Sequence, residues 1–189
     1  MPPDELEGLI RRCRRGPLHQ GGPSACGVPH AGAALHRLLP HRHPFLLLDE
    51  VVQLDRQAGT IVGRRLLCAD DPVLAGHFPG DPIYPGVLLV EAVGQLGLCL
   101  VHLLNDANAP ATVRALRILH ALFVEPVRGG DQLTLYAALL EQDGLTAFAA
   151  GQVYRGETLC ALAARLPELL DARRCRSARL PLAQAPPTV

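Results

Sequence analysis

Two side chains in this sequence have the chemistry and the setting to move protons. His77 sits in a loop dense in proline and glycine, and Glu91 lies in the apolar run that follows. An imidazole can accept a proton near neutral pH, and a carboxyl group buried in apolar surroundings tends to keep its own. Facing a common pocket, the two would form a base and acid pair, each tuned by its environment. Bland readings compete. Glu91 could be a helix-start carboxylate on a solvated face, favoured by the helix dipole. His77, next to Phe78, could be a hydrogen-bonded packing residue. The neighbours of Glu91, ValLeuLeuVal before it and AlaVal after it, leave little room for a solvated face. His77 gains weight from its rigid loop just before a helix start.

The elements that must position the pair follow from the punctuation. Prolines at 79, 82 and 85 and glycines at 76, 80 and 86 predict a stiff, non-helical path. A helix then opens at Pro85 or Gly86, where a first turn tolerates proline, and runs to Leu104, roughly 28 Å. Its polar side chains are Glu91, Gln95 and His102. At helical spacing Gln95 lies about 40° and His102 about 20° from Glu91, so the three form one stripe. The run is long enough for a membrane span, but the charge at 91 and the flanking strands argue for a core helix.

Strands are expected at Phe45 to Leu54 and Gly59 to Cys68. A second set is expected at 112 to 124, 131 to 141, 145 to 154 and 157 to 166, divided by GlyGly, AspGly and ArgGly. Leu133, Leu135, Ala137 and Leu139 alternate with Thr134, Tyr136 and Ala138, as in a sheet with one buried face. A helix apolar nearly all round needs cover on most sides, which a curved antiparallel sheet supplies. The fold class is therefore α+β.

Composition narrows the remaining chemistry. Positive and negative side chains balance at 18 each, and every basic one is Arg. No basic field invites nucleic acid or anionic lipid, and without Lys there is no Schiff base, P-loop or Ser-Lys pair. The six cysteines, at 13, 26, 68, 99, 160 and 175, are dispersed, and Cys99 in the apolar helix with Cys68 and Cys160 near or in strands suits reduced, buried thiols of a cytoplasmic protein. HisArgHis at 41 to 43, with His30 and His36 upstream, resembles a metal cluster by count, but no Cys or carboxylate stands at ligand spacing. No apolar segment follows the N-terminal arginines, so no export signal is read there. Residues 1–35 read as a flexible extension with a short helix near Glu5 to Arg15, residues 36–168 as the folded domain, and residues 169–189 as an Arg- and Pro-containing tail.

Four motifs in order carry a resemblance: LeuProHisArgHisProPhe (39–45), GlyHisPheProGly (76–80), ProGlyValLeuLeuValGluAla (85–92) and Gln95. With fourteen residues from His77 to Glu91, residues 36–166 resemble the 3-hydroxyacyl-acyl-carrier-protein dehydratases of the FabZ/FabA type. Glu at 91 and PheProGly after the His are closer to the FabZ branch. The resemblance implies a hot-dog fold, a long helix wrapped by a curved antiparallel sheet. It also implies a homodimer with His77 of one subunit facing Glu91 of the other, and further assembly as a trimer of dimers.

The implied reaction turns a 3-hydroxyacyl thioester on acyl carrier protein into a trans-2-enoyl thioester, with no cofactor beyond the carrier's phosphopantetheine. His77 and Glu91 would be catalytic, and Gly86, Gln95, Phe78 and Pro85 would bind substrate or its developing oxyanion, with Gln95, one turn beyond Glu91, also placed to orient that carboxyl or a water. Three positions depart from the family pattern. His43 stands for Tyr, Asp81 for Arg and Glu125 for a basic residue, which changes the surface offered to an acidic carrier and leaves a specialised polyketide or polyene pathway open beside fatty acid synthesis. A hot-dog thioesterase, a dehydratase-isomerase and a non-catalytic acyl-binding member of the fold are the rival readings.

Overall fold

The computed structural model describes residues 3–19, 25–26, 30–105, 114–115, 118, 120–142 and 146–169. In chain order these form α1 (Pro3–Arg15), β1 (Ala25–Cys26), β2 (His30–Ala31), α2 (Ala33–Leu38), β3 (Glu50–Asp55), β4 (Thr60–Leu66), α3 (Pro72–Gly76), α4 (Gly86–Leu104), β5 (Arg114–Ala115), β6 (His120–Phe123), β7 (Gln132–Gln142), β8 (Thr146–Arg155) and β9 (Thr158–Leu169). Every pairing is antiparallel. The sheet order is β1-β3-β4-β7-β8-β9-β5, with β2 also on β3 and β6 also on β9.

The sheet wraps α4, as its all-round apolarity requires. Leu89, Val93, Leu96 and Leu100 pack with Leu133, Leu135, Ala137 and Val153 from the sheet's inner face. By length and composition α4 could cross a membrane, with a mean hydropathy of 2.0 over its most apolar window. Its tertiary setting makes it the core helix instead. The contact is close enough that glycine is needed opposite it: a Cβ on Gly151 of β8 would meet Val93 Cβ at 2.6 Å. In the turn joining β8 to β9, Gly156 takes a φ of +59°, which favours glycine. The AspGly pair at 143–144 and the tail beyond residue 169 lie outside the described residues.

Three expectations within the folded domain change here. Phe45 to Asp49 is not strand, since β3 begins at Glu50. Its backbone takes mixed partners instead, the Arg42 and Arg64 carbonyls for the Phe45 and Asp49 N–H groups and the Gln95 side chain at both Phe45 and Leu47. A short helix, α3, precedes His77. AspAspPro at 70–72 is its start signal, with Asp71 capping through the Val73 N–H and Pro72 in the first turn. Cys68 is exposed, whereas Cys13, Cys99 and Cys160 are buried.

The N-terminal stretch is not loose over residues 3–19. In α1, Leu9 and Cys13 are buried against Ala150, Leu162 and Ala164 on the outer face of the sheet. Gln152 of β8, wholly buried, supplies the polar lock. Its carboxamide accepts from the Leu18 N–H at 2.7 Å and donates to the carbonyls of Cys13 and of Gly16, the latter at 2.9 Å. Gln152→Ala would strand those three backbone groups at a cost of about 1–3 kcal/mol. The expected result is faster amide exchange at Leu18 with core strands still protected, measured by hydrogen–deuterium exchange. Unchanged exchange there would remove Gln152 as the lock.

Candidate active site

His77 follows α3 directly and is held from two sides by one residue. Its Nδ1–H donates to the Ile83 carbonyl at 2.8 Å, and its own carbonyl accepts from the Ile83 N–H at 2.8 Å. A carbonyl can only accept, so this bond places the proton of a neutral imidazole on Nδ1 and leaves Nε2 as the free lone pair. Phe78 stacks on the ring with centroids 4.0 Å apart. The Tyr84 N–H bonds Val127 O at 2.7 Å, fastening the far end of the loop to the segment after β6.

His77 opens onto a cavity of about 420 Å³ whose lining includes Tyr84, Gly86, Leu89, Phe123 and Cys160. Pro85 is the N-cap of α4 and also lines the cavity, so the first helical N–H groups, at Gly86 and Val87, stand at its edge. A Cβ on Gly86 would meet the Phe123 ring at 2.6 Å, which gives this glycine a packing reason beside its N–H. Gly86→Ala is expected to displace Phe123 and lower kcat/KM about 10-fold or more, given how steeply rate depends on placement. Wild-type kcat/KM in that variant would overturn the expectation. Burial pushes the Cys160 thiol up against the opposing pull of Arg155, so this cavity cysteine stays protonated at neutral pH and is a poor nucleophile. Burial also raises Tyr84.

Glu91 does not line that cavity. Five positions on from Gly86, it points about 140° around the helix. It is also not the largely buried carboxylate that its neighbours in sequence suggest, since its side chain is 33% exposed in the single chain. Its Oε1 accepts from Gln95 Nε2 at 2.8 Å and lies 3.8 Å from His41 Nε2. Gln95 is buried, and His102, last of the stripe, lies half-buried in the final turn of α4. The structure therefore joins His77 with Phe78, Pro85 and Gly86, and joins Glu91 with Gln95, but keeps the two groups apart within one chain.

Two participants escaped the sequence reading. The Ile83 carbonyl carries no side-chain signal at all. His41 stood inside a quoted motif but was weighed only in the HisArgHis cluster; no group of three or more metal-ligating side chains converges among the described residues. Of the three departures, Asp81 pairs with Arg128 at 2.6 Å on the surface, Glu125 is exposed at the cavity, and His43 lines a separate cleft beside Arg42 and Cys68.

The sequence matches the family described as FabA-like domain over residues 39–164, which include both halves of this geometry. The chain belongs to the FabZ-type dehydratase family. It is 41% identical over 118 residues to the 3-hydroxyacyl-acyl-carrier-protein dehydratase FabZ of Chlamydia trachomatis, covering 61% of this chain and 77% of that one. It is 36% identical over 142 residues to the FabZ of Campylobacter concisus, covering 72% and 95%. Among solved structures, the dehydratase heterocomplex ApeI:P from Xenorhabdus doucetiae aligns with a TM-score of 0.60 at 21% identity, over 74% of this chain and 91% of that one. At that identity the likeness establishes the hot-dog fold of this FabZ-type chain and nothing finer.

Proposed function

We propose that the chain is a hydro-lyase that removes water from 3-hydroxyacyl thioesters carried by acyl carrier protein, leaving trans-2-enoyl thioesters. The observation that supports this reading is the His77–Ile83 bond, which leaves Nε2 as the free lone pair of a ring that lines an apolar cavity at a helix start. Nε2 takes the C2 proton. The electrons of that C–H bond form the C2–C3 double bond, and the C3–O bond breaks as Glu91 protonates the departing hydroxyl. Water and enoyl thioester leave, with His77 one proton richer and Glu91 one poorer. The product water or solvent returns that proton. Negative charge developing on the thioester oxygen is met by the Gly86 N–H and the positive end of the α4 dipole. No resident cofactor has a step in this scheme; phosphopantetheine arrives with the substrate.

The separation of His77 from Glu91 within one chain supports a homodimer in which each active site takes one residue from each subunit. Phe78, Val87 and Phe123 are large apolar side chains left more than half exposed around the cavity, as surface awaiting an acyl chain or a second copy would be. A trimer of dimers is the larger assembly in this reading, and the compartment is the cytoplasm. Glu125 at the cavity and Asp81, paired with Arg128, stand where the family pattern has basic residues, so carrier docking rests less on positive charge here, and fatty acid synthesis and a specialised polyketide or polyene pathway both fit.

The test is incubation of the purified chain with 3-hydroxyacyl thioesters of several lengths on acyl carrier protein and on coenzyme A. Enoyl absorbance with mass loss of one water is the expected result. Free thiol release would point to a thioesterase, a 3-enoyl product to an isomerase, and binding without turnover to a non-catalytic member of the fold. Sedimentation of the chain as a monomer under assay conditions would overturn the shared site.

A further inference from the structure

The acid side of the site contains an arrangement that the reaction above does not use. Gln95 has its amide orientation dictated by two backbone groups. The Leu47 N–H can bond only to its oxygen, at 2.8 Å, and the Phe45 carbonyl only to its nitrogen, at 2.9 Å. Gln95 Nε2 is thus a donor, and the bond it makes to Glu91 Oε1 at 2.8 Å uses that oxygen as an acceptor. His41 Nε2 approaches the same oxygen at 3.8 Å, while its Nδ1 is buried with no hydrogen-bond partner.

A neutral imidazole can place its proton on either nitrogen. On Nδ1 it would be a buried N–H with nothing to accept it, the rarer and costlier kind of orphan. Nε2 would then be an acceptor able to draw the acid's proton away from substrate. On Nε2 the proton faces Glu91, and only a lone pair is left buried. The second state therefore wins, and Oε1 faces two donors.

The segment carrying His41 is held firmly enough to matter. Arg42 donates to the carbonyls of Leu39 at 2.8 Å and of His41 at 2.7 Å, and the Phe45 ring lies 6.2 Å from the imidazole. The distance of 3.8 Å is longer than a formed hydrogen bond, and such contacts often tighten only when substrate is bound.

We propose that His41 is a positioning residue for the acid: with Gln95 it claims Glu91 Oε1 and so assigns the transferable proton to Oε2, the oxygen left to face the substrate hydroxyl. The inference rests on the dehydratase reading, and it acts on Glu91 rather than on substrate. His41 thus governs how fast bound substrate reacts, not how tightly it binds.

The experiment is steady-state dehydration of a 3-hydroxyacyl thioester by wild type, His41→Leu and His41→Gln. His41→Phe replaces His41→Leu if the latter does not fold. Expected is a kcat loss of about 10- to 100-fold in His41→Leu with KM within about 2-fold, the scale set by misplacing a catalytic group by about an ångström. His41→Gln, which keeps an N–H donor, is expected to recover kcat to within about 3-fold of wild type. In a Glu91→Gln background, His41→Leu should cost less than about 2-fold, because residues acting as one unit are not additive.

Unchanged kcat in His41→Leu, failure of His41→Gln to recover, a change confined to KM, or a fully additive loss beside Glu91→Gln would each overturn the proposal. Wild-type turnover with an indifferent His41→Leu sinks this inference alone. Absence of wild-type turnover removes the dehydratase reading and the inference together.

Discussion

Replacing His77 with Ala is expected to lower kcat for dehydration by about 10²–10⁴-fold, the usual worth of a positioned general base. The reason is specific to the loop. The Ile83 carbonyl occupies Nδ1, so Nε2 is the only nitrogen free to take a proton from substrate. Ala removes both the base and its tether, which leaves open whether lost activity reports chemistry or a displaced loop. His77→Asn separates these, because an amide N–H can replace the Nδ1 donor to Ile83 while offering no comparable base. Both variants are expected to be equally inactive, with melting temperatures near wild type. Wild-type turnover in either would remove His77 as the base, and a clear advantage of Asn over Ala would assign the loss to the loop.

The largest effect on stability is expected from Leu96→Ala. Leu96 is fully buried at the middle of α4, where its Cδ1 reaches into the space that a Cβ on Gly63 of β4 would occupy, 3.0 Å from that position. Leu48 fills the same space from the other side, with its Cδ1 at 2.7 Å. The backbone oxygen of Glu50 lies 3.1 Å away, so β4 cannot easily collapse onto a vacated site. A cavity that fails to collapse puts the cost at about 2–5 kcal/mol. At about 2–4 °C per kcal/mol for a chain of this size, the melting temperature should fall by roughly 4–20 °C. Scanning calorimetry at matched protein concentration measures it, and a drop under about 2 °C would show that the interior repacks.

How much of this was legible differs from element to element. Helix α4 was readable to within a residue at its start because Pro85 and Gly86 mark it, and the apolar run carries it to Leu104. The alternation in β7 was equally plain. The stretch from Phe45 to Asp49 was misread because an apolar run suits a strand, whereas its middle is held by the side chain of Gln95, 50 residues on from Phe45. Segment α1 showed helical spacing at Leu6, Leu9, Ile10 and Cys13, but its docking depends on Gln152, 139 residues beyond Cys13. No local pattern encodes a contact at that separation.

The same division runs through the site. By itself the sequence determined the chemical groups and their local frames: His77 on a proline-stiffened loop, Gly86 at a helix start, and Glu91 with Gln95 one turn apart on one stripe. These follow from spacing, and helical geometry does the rest. Only the tertiary structure decided which nitrogen of His77 is free, because that depends on the Ile83 carbonyl. Only it could show that Glu91 turns away from the His77 cavity toward His41, because the direction of a helix face takes meaning from what packs around it. Hydrogen-bond partners and facing directions are properties of the folded neighbourhood, and they turn two proton-moving side chains into a base with one free nitrogen and a separate carboxyl group awaiting its partner.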